Sequence, residues 1–269
     1  MLDIGPNLIA LNLSVYIFVF IFGLILGSFL NSWIWRTREN IRVVSRESFS
    51  ICVSCRRKLK WYEKFPVFSY LFLRGKCRTC KKEIPWHYTL VEFFSGAFLV
   101  LIAHIFLQKV SFSEWHFFRD VFFLTVLIVV FVYDALYKEV LLRVVWPGFF
   151  IGFLINFYFL NYSFESLAIG SALGGGFFLL QYFVSKGRWI GGGDVRLGFM
   201  MGIWLGWPNI LVALFVSYIL GAVVSLGLLA FKKKEMTSEI PFGTFLAIGT
   251  FFSLYFATDL INWYLGLLR

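Results

Sequence analysis

Two aspartates stand where a carboxylate is expensive. Asp134 closes the apolar run 121–133, and Asp194 follows Gly191-Gly192-Gly193 directly ahead of another apolar run. An acid at the lip of hydrocarbon costs on the order of a few kcal/mol or more unless it is paired, hydrated or protonated, so each one marks a candidate site. Two such acids on the ends of two helices can do the chemistry of an aspartic protease: if they approach closely they share one proton. One then takes a proton from water while the other donates to a scissile carbonyl. The protons belong to the pair, so the roles are not divided between Asp134 and Asp194. The three glycines, lacking Cβ atoms, are expected to permit an unusual turn and the close approach of a substrate backbone. The bland alternative for each acid is a helix-end residue that caps free amides or meets interfacial water, and Asp194 precedes an apolar run in just that way.

A second cluster points to a metal. All four cysteines fall in two knuckles, Cys52-Val53-Ser54-Cys55 and Cys77-Arg78-Thr79-Cys80. Two CxxC pairs about twenty residues apart have the spacing of a tetrahedral zinc site, because thiolates at i and i+3 of a tight turn reach one ion. A pair of disulfides is the alternative, disfavoured if the loop lies in a reducing compartment. The polar segment from about 37 to 87 is too small to bury a core of its own, so zinc, or another thiophilic metal, is expected to supply its folding energy. That role is structural, since four thiolates leave no open coordination position.

The elements that must position these residues are membrane helices. Of 269 residues, 59% are hydrophobic and only 15% charged, far more apolar than a soluble domain. With roughly 20 apolar residues needed per span, about eight candidates emerge: 8–35, 89–107, 117–133, 144–161, 166–184, 195–206, 208–231 and 243–265, the sixth of them short. The first run lacks a basic leader and a small-residue cleavage site, so it is expected to stay as a helix. The expected fold is therefore an all-α polytopic bundle interrupted by one small zinc-binding loop domain. The corresponding division is a first helix over 1–36, the loop domain over 37–88 and a membrane-embedded catalytic bundle over 89–269.

Charge sets the orientation. The net charge is +10, and the basic residues crowd into 36–82, then recur at Lys138 and Arg143, at Lys186 and Arg188, and at Lys232-Lys233-Lys234, while the alternate loops are nearly bare. Lys and Arg accumulate in cytoplasmic loops, which puts both termini outside and both aspartates and the cysteine loop inside. Clustered cations can also bind phosphates, but topology and attraction to anionic lipid heads already account for them. Membrane lipid rather than nucleic acid is the expected partner.

Other residues are weaker signals. Glu92 could bind a substrate amino terminus, assist a methylation, or pair with Arg36 or Arg74, of which the structural ion pair is preferred. His87, His104 and His116 lack the spacing of a metal or triad site. Asp259 reads as a solvated helix end. Gly174-Gly175-Gly176 has no preceding strand or following lysine for a phosphate, and close helix packing explains it better. Trp33, Trp35, Trp61, Trp86 and Trp146 suit interfacial anchoring.

Six stretches in order resemble the type IV prepilin peptidases: Gly27-Ser28-Phe29-Leu30-Asn31 with Arg36, the two CxxC knuckles, 69–75, Tyr88-Thr89-Leu90-Val91-Glu92, Gly191-Gly192-Gly193-Asp194 with Val195-Arg196-Leu197, and Ile240-Pro241-Phe242-Gly243. The chain departs from that family where an Ile-Pro-Asp/Asn turn is usual: Asp134 is followed by Val140-Leu141-Leu142 before Pro147. Val53 and Thr244 also stand where the family tends to carry proline. The resemblance implies a bacterial inner-membrane aspartic endopeptidase with Asp134 and Asp194 as its catalytic pair and the 191–193 turn in its active site. Its substrates would be prepilins and pseudopilins, cut behind a basic leader at the cytoplasmic face. It also implies methylation of the new N-terminal amine from S-adenosylmethionine, with no cofactor-binding residue assignable. The rival is an ion-coupled transporter or channel with a cysteine-rich partner-binding loop. It is disfavoured because transporter acids usually lie near the bilayer midplane, whereas these two sit at one face.

Overall fold

The computed structural model describes residues 6–41, 50–108, 113–230 and 240–268, so the basic run 232–234 lies outside the described residues. The chain divides into two compact units, 1–113 and 114–269. The helix expected over 89–107 thus belongs with the first unit and not with the bundle that carries the aspartates.

In the first unit, α1 (Pro6–Arg38) and α3 (Trp86–Gln108) run antiparallel. Gly23 faces the backbone of Gly96 and Gly27 that of Glu92, so a Cβ at either position would meet main chain. Small residues one turn apart let two apolar helices approach where the hydrophobic effect gives no preference for contact over lipid. Asn31 continues that seam by donating from Nδ2 to the Tyr88 carbonyl at 2.9 Å. Between the helices lie the two cysteine knuckles, a 3₁₀ turn at Trp61–Lys64 and the short α2 (Phe68–Phe72). Only two isolated β-bridges occur among the described residues, Ile51 with Lys58 and Lys76 with Glu83, one flanking each knuckle.

The second unit consists of α4 (Glu114–Tyr137), α5 (Leu142–Leu154) running into a π-helical turn (Ile155–Phe159), α6 (Phe164–Ser185), α7 (Gly192–Leu205), α8 (Asn209–Ala230) and α9 (Phe242–Leu267). Helix α6 ends at Lys186 and Gly187, both at positive φ, with the Gly187 amide returning to the Tyr182 carbonyl. The chain then reverses into α7. The two helices close on each other through Gly170 against Gly202 and Gly174 against Gly198, whereas Gly176 meets nothing within 4 Å. Of the three glycines singled out in the sequence, Gly174 and Gly175, the latter against the Phe199 ring, therefore serve packing, and Gly176 does not.

Among the described residues seven helices are long and apolar enough to cross a membrane, one fewer than the expected eight. The exception is α7. Its 14 residues rise about 21 Å, short of a hydrocarbon core of roughly 30 Å. Protein encloses it instead. Trp204 is stacked on Phe123 at 3.8 Å between ring centroids and donates its indole N–H to the Gly148 carbonyl. Asn156 donates to the carbonyls of Ile203 and Trp204, and Gly206 turns the chain at φ 67° beside Ser166. These contacts satisfy the C-terminal carbonyls that hydrocarbon could not. At the far end of α4 from Asp134, Arg119 and Asp120 form a buried ion pair at 2.8 Å, with Tyr255 and Tyr162 completing its hydrogen bonds.

Candidate active site and metal centre

Asp134 sits in the last turn of α4, which Lys138 ends at φ 55° by donating its amide to the Asp134 carbonyl. Its side chain is buried, and Oδ2 accepts the Thr244 N–H at 2.8 Å. Thr244 is in the first turn of α9, whose leading amides have no partner within their own helix. A helix N-terminus aimed at a carboxylate fixes its position and favours its charge. Gly243 makes that approach possible, since a Cβ there would stand 2.9 Å from Oδ2. The 240–243 stretch is thus a cradle for Asp134, a role that no signal in the sequence reveals because the partner lies 110 residues away.

Asp194 is the third residue of α7, and its Oδ2 accepts the Gly191 N–H at 3.2 Å. The expected unusual glycine turn is not found. Gly191 is extended at φ −74°, Gly192 and Gly193 are helical, and none of the three has a positive φ. Gly193 is needed for a different reason: a Cβ would stand 2.8 Å from the Val140 Cβ, so glycine lets the α4–α5 connection close over the start of α7. Gly191 and Gly192 face no such obstacle.

Asp134 and Asp194 line one cavity of about 310 Å³ with Lys138, Glu139 and Arg196 at its rim. Two carboxylates that line one cavity can share a proton and divide the work of base and acid. Lys138, Glu139 and Arg196 are charged residues that sequence reasoning did not place at this site, although each lies within five residues of Asp134 or Asp194.

The four cysteines come together in the first unit. All are free thiols, and their sulfurs lie within 4.8 Å of one another. Four sulfurs bound at about 2.3 Å in a tetrahedron stand roughly 3.8 Å apart, so the cluster fits a zinc ion with little contraction. The two knuckles are near copies. The Cys52 amide bonds the Arg57 carbonyl and the Cys77 amide that of Lys82, both at 2.9 Å; Arg56 and Lys81 occupy the same left-handed position after the second cysteine. Backbone amides aimed at sulfur, that of Cys80 first and then that of Thr79, hold the Cys77 thiol down at about 6 against the cost of burial. Thiolate is the metal-binding form.

Arg57 ties this centre to the rest of the loop. It grips Glu63 with two hydrogen bonds of 2.9 Å and reaches the Cys77 sulfur at 3.9 Å. Glu63 also accepts the Lys60 amide, and the Arg57 guanidinium holds its carboxyl below the usual range. Such outer partners orient the ligands of a metal site.

Glu92 does not form the expected ion pair with Arg36 or Arg74. Its carboxylate accepts the Val67 amide at 2.7 Å and a bond from Ser28, and among the described residues it meets no cation.

Comparison with known proteins follows the same division. The model of the bacterial peptidase A24 N-terminal domain matches residues 21–106, and that of the type IV leader peptidase family matches 121–226, together more than half of the chain. A prepilin leader peptidase/N-methyltransferase of Pseudomonas putida is 27% identical over 89% of this chain and 90% of its own. Its namesake in Stutzerimonas stutzeri is 28% identical over 93% of each, and that of Bacillus subtilis is 27% identical over 92% and 96%. No solved structure matches.

Proposed function

The chain belongs to the type IV leader peptidase family, and on that premise we propose that it is a membrane aspartic endopeptidase that removes the basic leader from prepilins and pseudopilins and methylates the new N-terminal amine. The observation that carries the proteolytic reading is the pair Asp134 and Asp194 on one cavity, with Asp134 cradled by the N-terminus of α9. One carboxylate of the pair takes a proton from a water as it attacks the scissile carbonyl and later passes that proton to the leaving amine, while the other gives its proton to the carbonyl oxygen and recovers one as the tetrahedral intermediate collapses. The Thr244 amide keeps the Asp134 oxygen in place throughout, so little reorganisation is needed during the reaction.

In the proposed orientation, which the concentration of Lys and Arg in alternate loops supports, this cavity and the cysteine knuckles face the cytoplasm from the bacterial inner membrane, where a prepilin leader is presented. Cys52, Cys55, Cys77 and Cys80 hold a structural zinc. S-adenosylmethionine supplies the methyl group when bound. The names of the relatives and the family match favour this reading over a transporter or channel. The test is to incubate the purified protein with a prepilin and S-adenosylmethionine and to read the product N-terminus by mass spectrometry. A cut behind the leader with a mass increment of about 14 Da on the new terminus is expected; an intact substrate overturns the proposal.

A further inference from the structure

A cavity in the first unit is lined by neither aspartate, and we propose that it is where this chain binds S-adenosylmethionine. This inference rests on the methylation reading above. The cavity holds about 550 Å³ and is walled by α1, the knuckle segment and the start of α3. Small-molecule sites generally span roughly 300–1,000 Å³.

Its wall carries three unmet demands. Glu92, at the foot of α3, is a carboxylate with no cation beside it among the described residues. Asn31 is 5% exposed, and its Oδ1 is buried with no donor while its Nδ2 is spent on Tyr88. Arg57 uses its two terminal nitrogens on Glu63, leaving Nε buried with no acceptor. Only three buried orphan side-chain atoms occur among the described residues, and two of them belong to this one wall. Native structures rarely leave such groups unpaired, so a cluster of them points to a missing partner.

The partner must bring a positive charge for Glu92, a donor for Asn31 and an acceptor for Arg57. S-adenosylmethionine carries all three, as sulfonium and ammonium, adenine amine, and free carboxylate. The mature peptide's own N-terminus offers the charge and the donor but no free carboxylate beside them. Tyr70 and Tyr88 add aromatic rings to the wall, and such rings suit a purine.

The test uses the full-length, zinc-loaded protein in detergent and measures equilibrium binding of S-adenosylmethionine and of S-adenosylhomocysteine, which lacks the sulfonium charge. Glu92→Gln should weaken S-adenosylmethionine about ten-fold or more, the scale of one lost contact to a charged group, and weaken S-adenosylhomocysteine less. Asn31→Ala should weaken both, with zinc content reporting that the unit still folds. Ultraviolet crosslinking of methyl-labelled S-adenosylmethionine to the unaltered protein gives an answer that needs no variant: label is expected within 25–36 or 50–92. Label within 114–269, or wild-type affinity in both variants, overturns the site while leaving the methylation reading intact. Variants that keep S-adenosylmethionine but lose the mature peptide would reassign the cavity to the substrate amine and overturn it likewise. A wild-type protein that neither binds S-adenosylmethionine nor methylates would instead remove the reading on which the inference rests.

Discussion

Adding one methyl group at Gly243 should disable the catalytic pair without touching either acid. An alanine Cβ there would stand 2.9 Å from the Asp134 Oδ2 and 3.1 Å from its Cγ. Ordinary contact begins near 3.4 Å, so the carboxylate must retreat by about half an ångström. The same oxygen accepts the Thr244 amide at 2.8 Å, so moving it disturbs that bond. A hydrogen bond to a charged group contributes roughly 1.5–3 kcal/mol, and misplacing a reacting group by about 1 Å can cost on the order of 100-fold. Gly243→Ala should therefore lower kcat for leader cleavage roughly 10- to 150-fold. KM should change little, because the substrate's remote contacts are unaffected. The assay is initial-rate cleavage of a purified prepilin, with Gly176→Ala as the control, since Gly176 meets nothing within 4 Å. A Gly243→Ala enzyme that accumulates in the membrane and cuts at the wild-type rate would refute the cradle and the positioning of Asp134 by it.

Three further outcomes are expected. Cys52→Ser with Cys55→Ser should release zinc, measured by elemental analysis, and impair methylation more than cleavage; wild-type protein freshly prepared without zinc would defeat the metal assignment. Gly202→Val should drive a side chain into the Gly170 backbone of α6, at a cost of about 1–3 kcal/mol or more and a fall in Tm of roughly 3–10 °C, while Gly176→Ala leaves Tm unchanged; equal Tm values would show that the α6–α7 seam is not close-packed. A cysteine placed by Ser113→Cys should react with a membrane-impermeant thiol reagent on intact cells, and one placed by Lys233→Cys only after permeabilisation. Labelling of Lys233→Cys from outside would put both acids in the wrong compartment.

Much of this protein can be read from its residue order because certain residues are costly where they stand. Asp134 and Asp194 stand out by the free-energy cost of a carboxylate at hydrocarbon, and the cysteines by a spacing that only a shared metal or disulfides explain. Long apolar runs give the spans for the same reason. What escapes is tertiary. The Ile240-Pro241-Phe242-Gly243 stretch is visible, but that its helix start holds Asp134 depends on α9 lying against α4. The glycines before Asp194 suggest a contorted turn, whereas the backbone is ordinary and Gly193 is small because Val140 presses on it. Helix α7 reads as a weak span because hydropathy measures lipid tolerance, and α7 meets protein instead. Glu92 looks ready for an arginine, yet hydrogen bonds from Val67 and Ser28 hold it with no cation beside it among the described residues.

The central claim is that two carboxylates sharing one cavity cut the leader, and the most direct measurement is the mass of a prepilin incubated with the Asp134→Asn and Asp194→Asn proteins. An amide keeps the shape of the carboxylate but can neither accept nor relay the proton, so each single change should leave the substrate at full length while the protein accumulates in the membrane at its normal level. A leader removed at the wild-type rate by either protein would contradict the account.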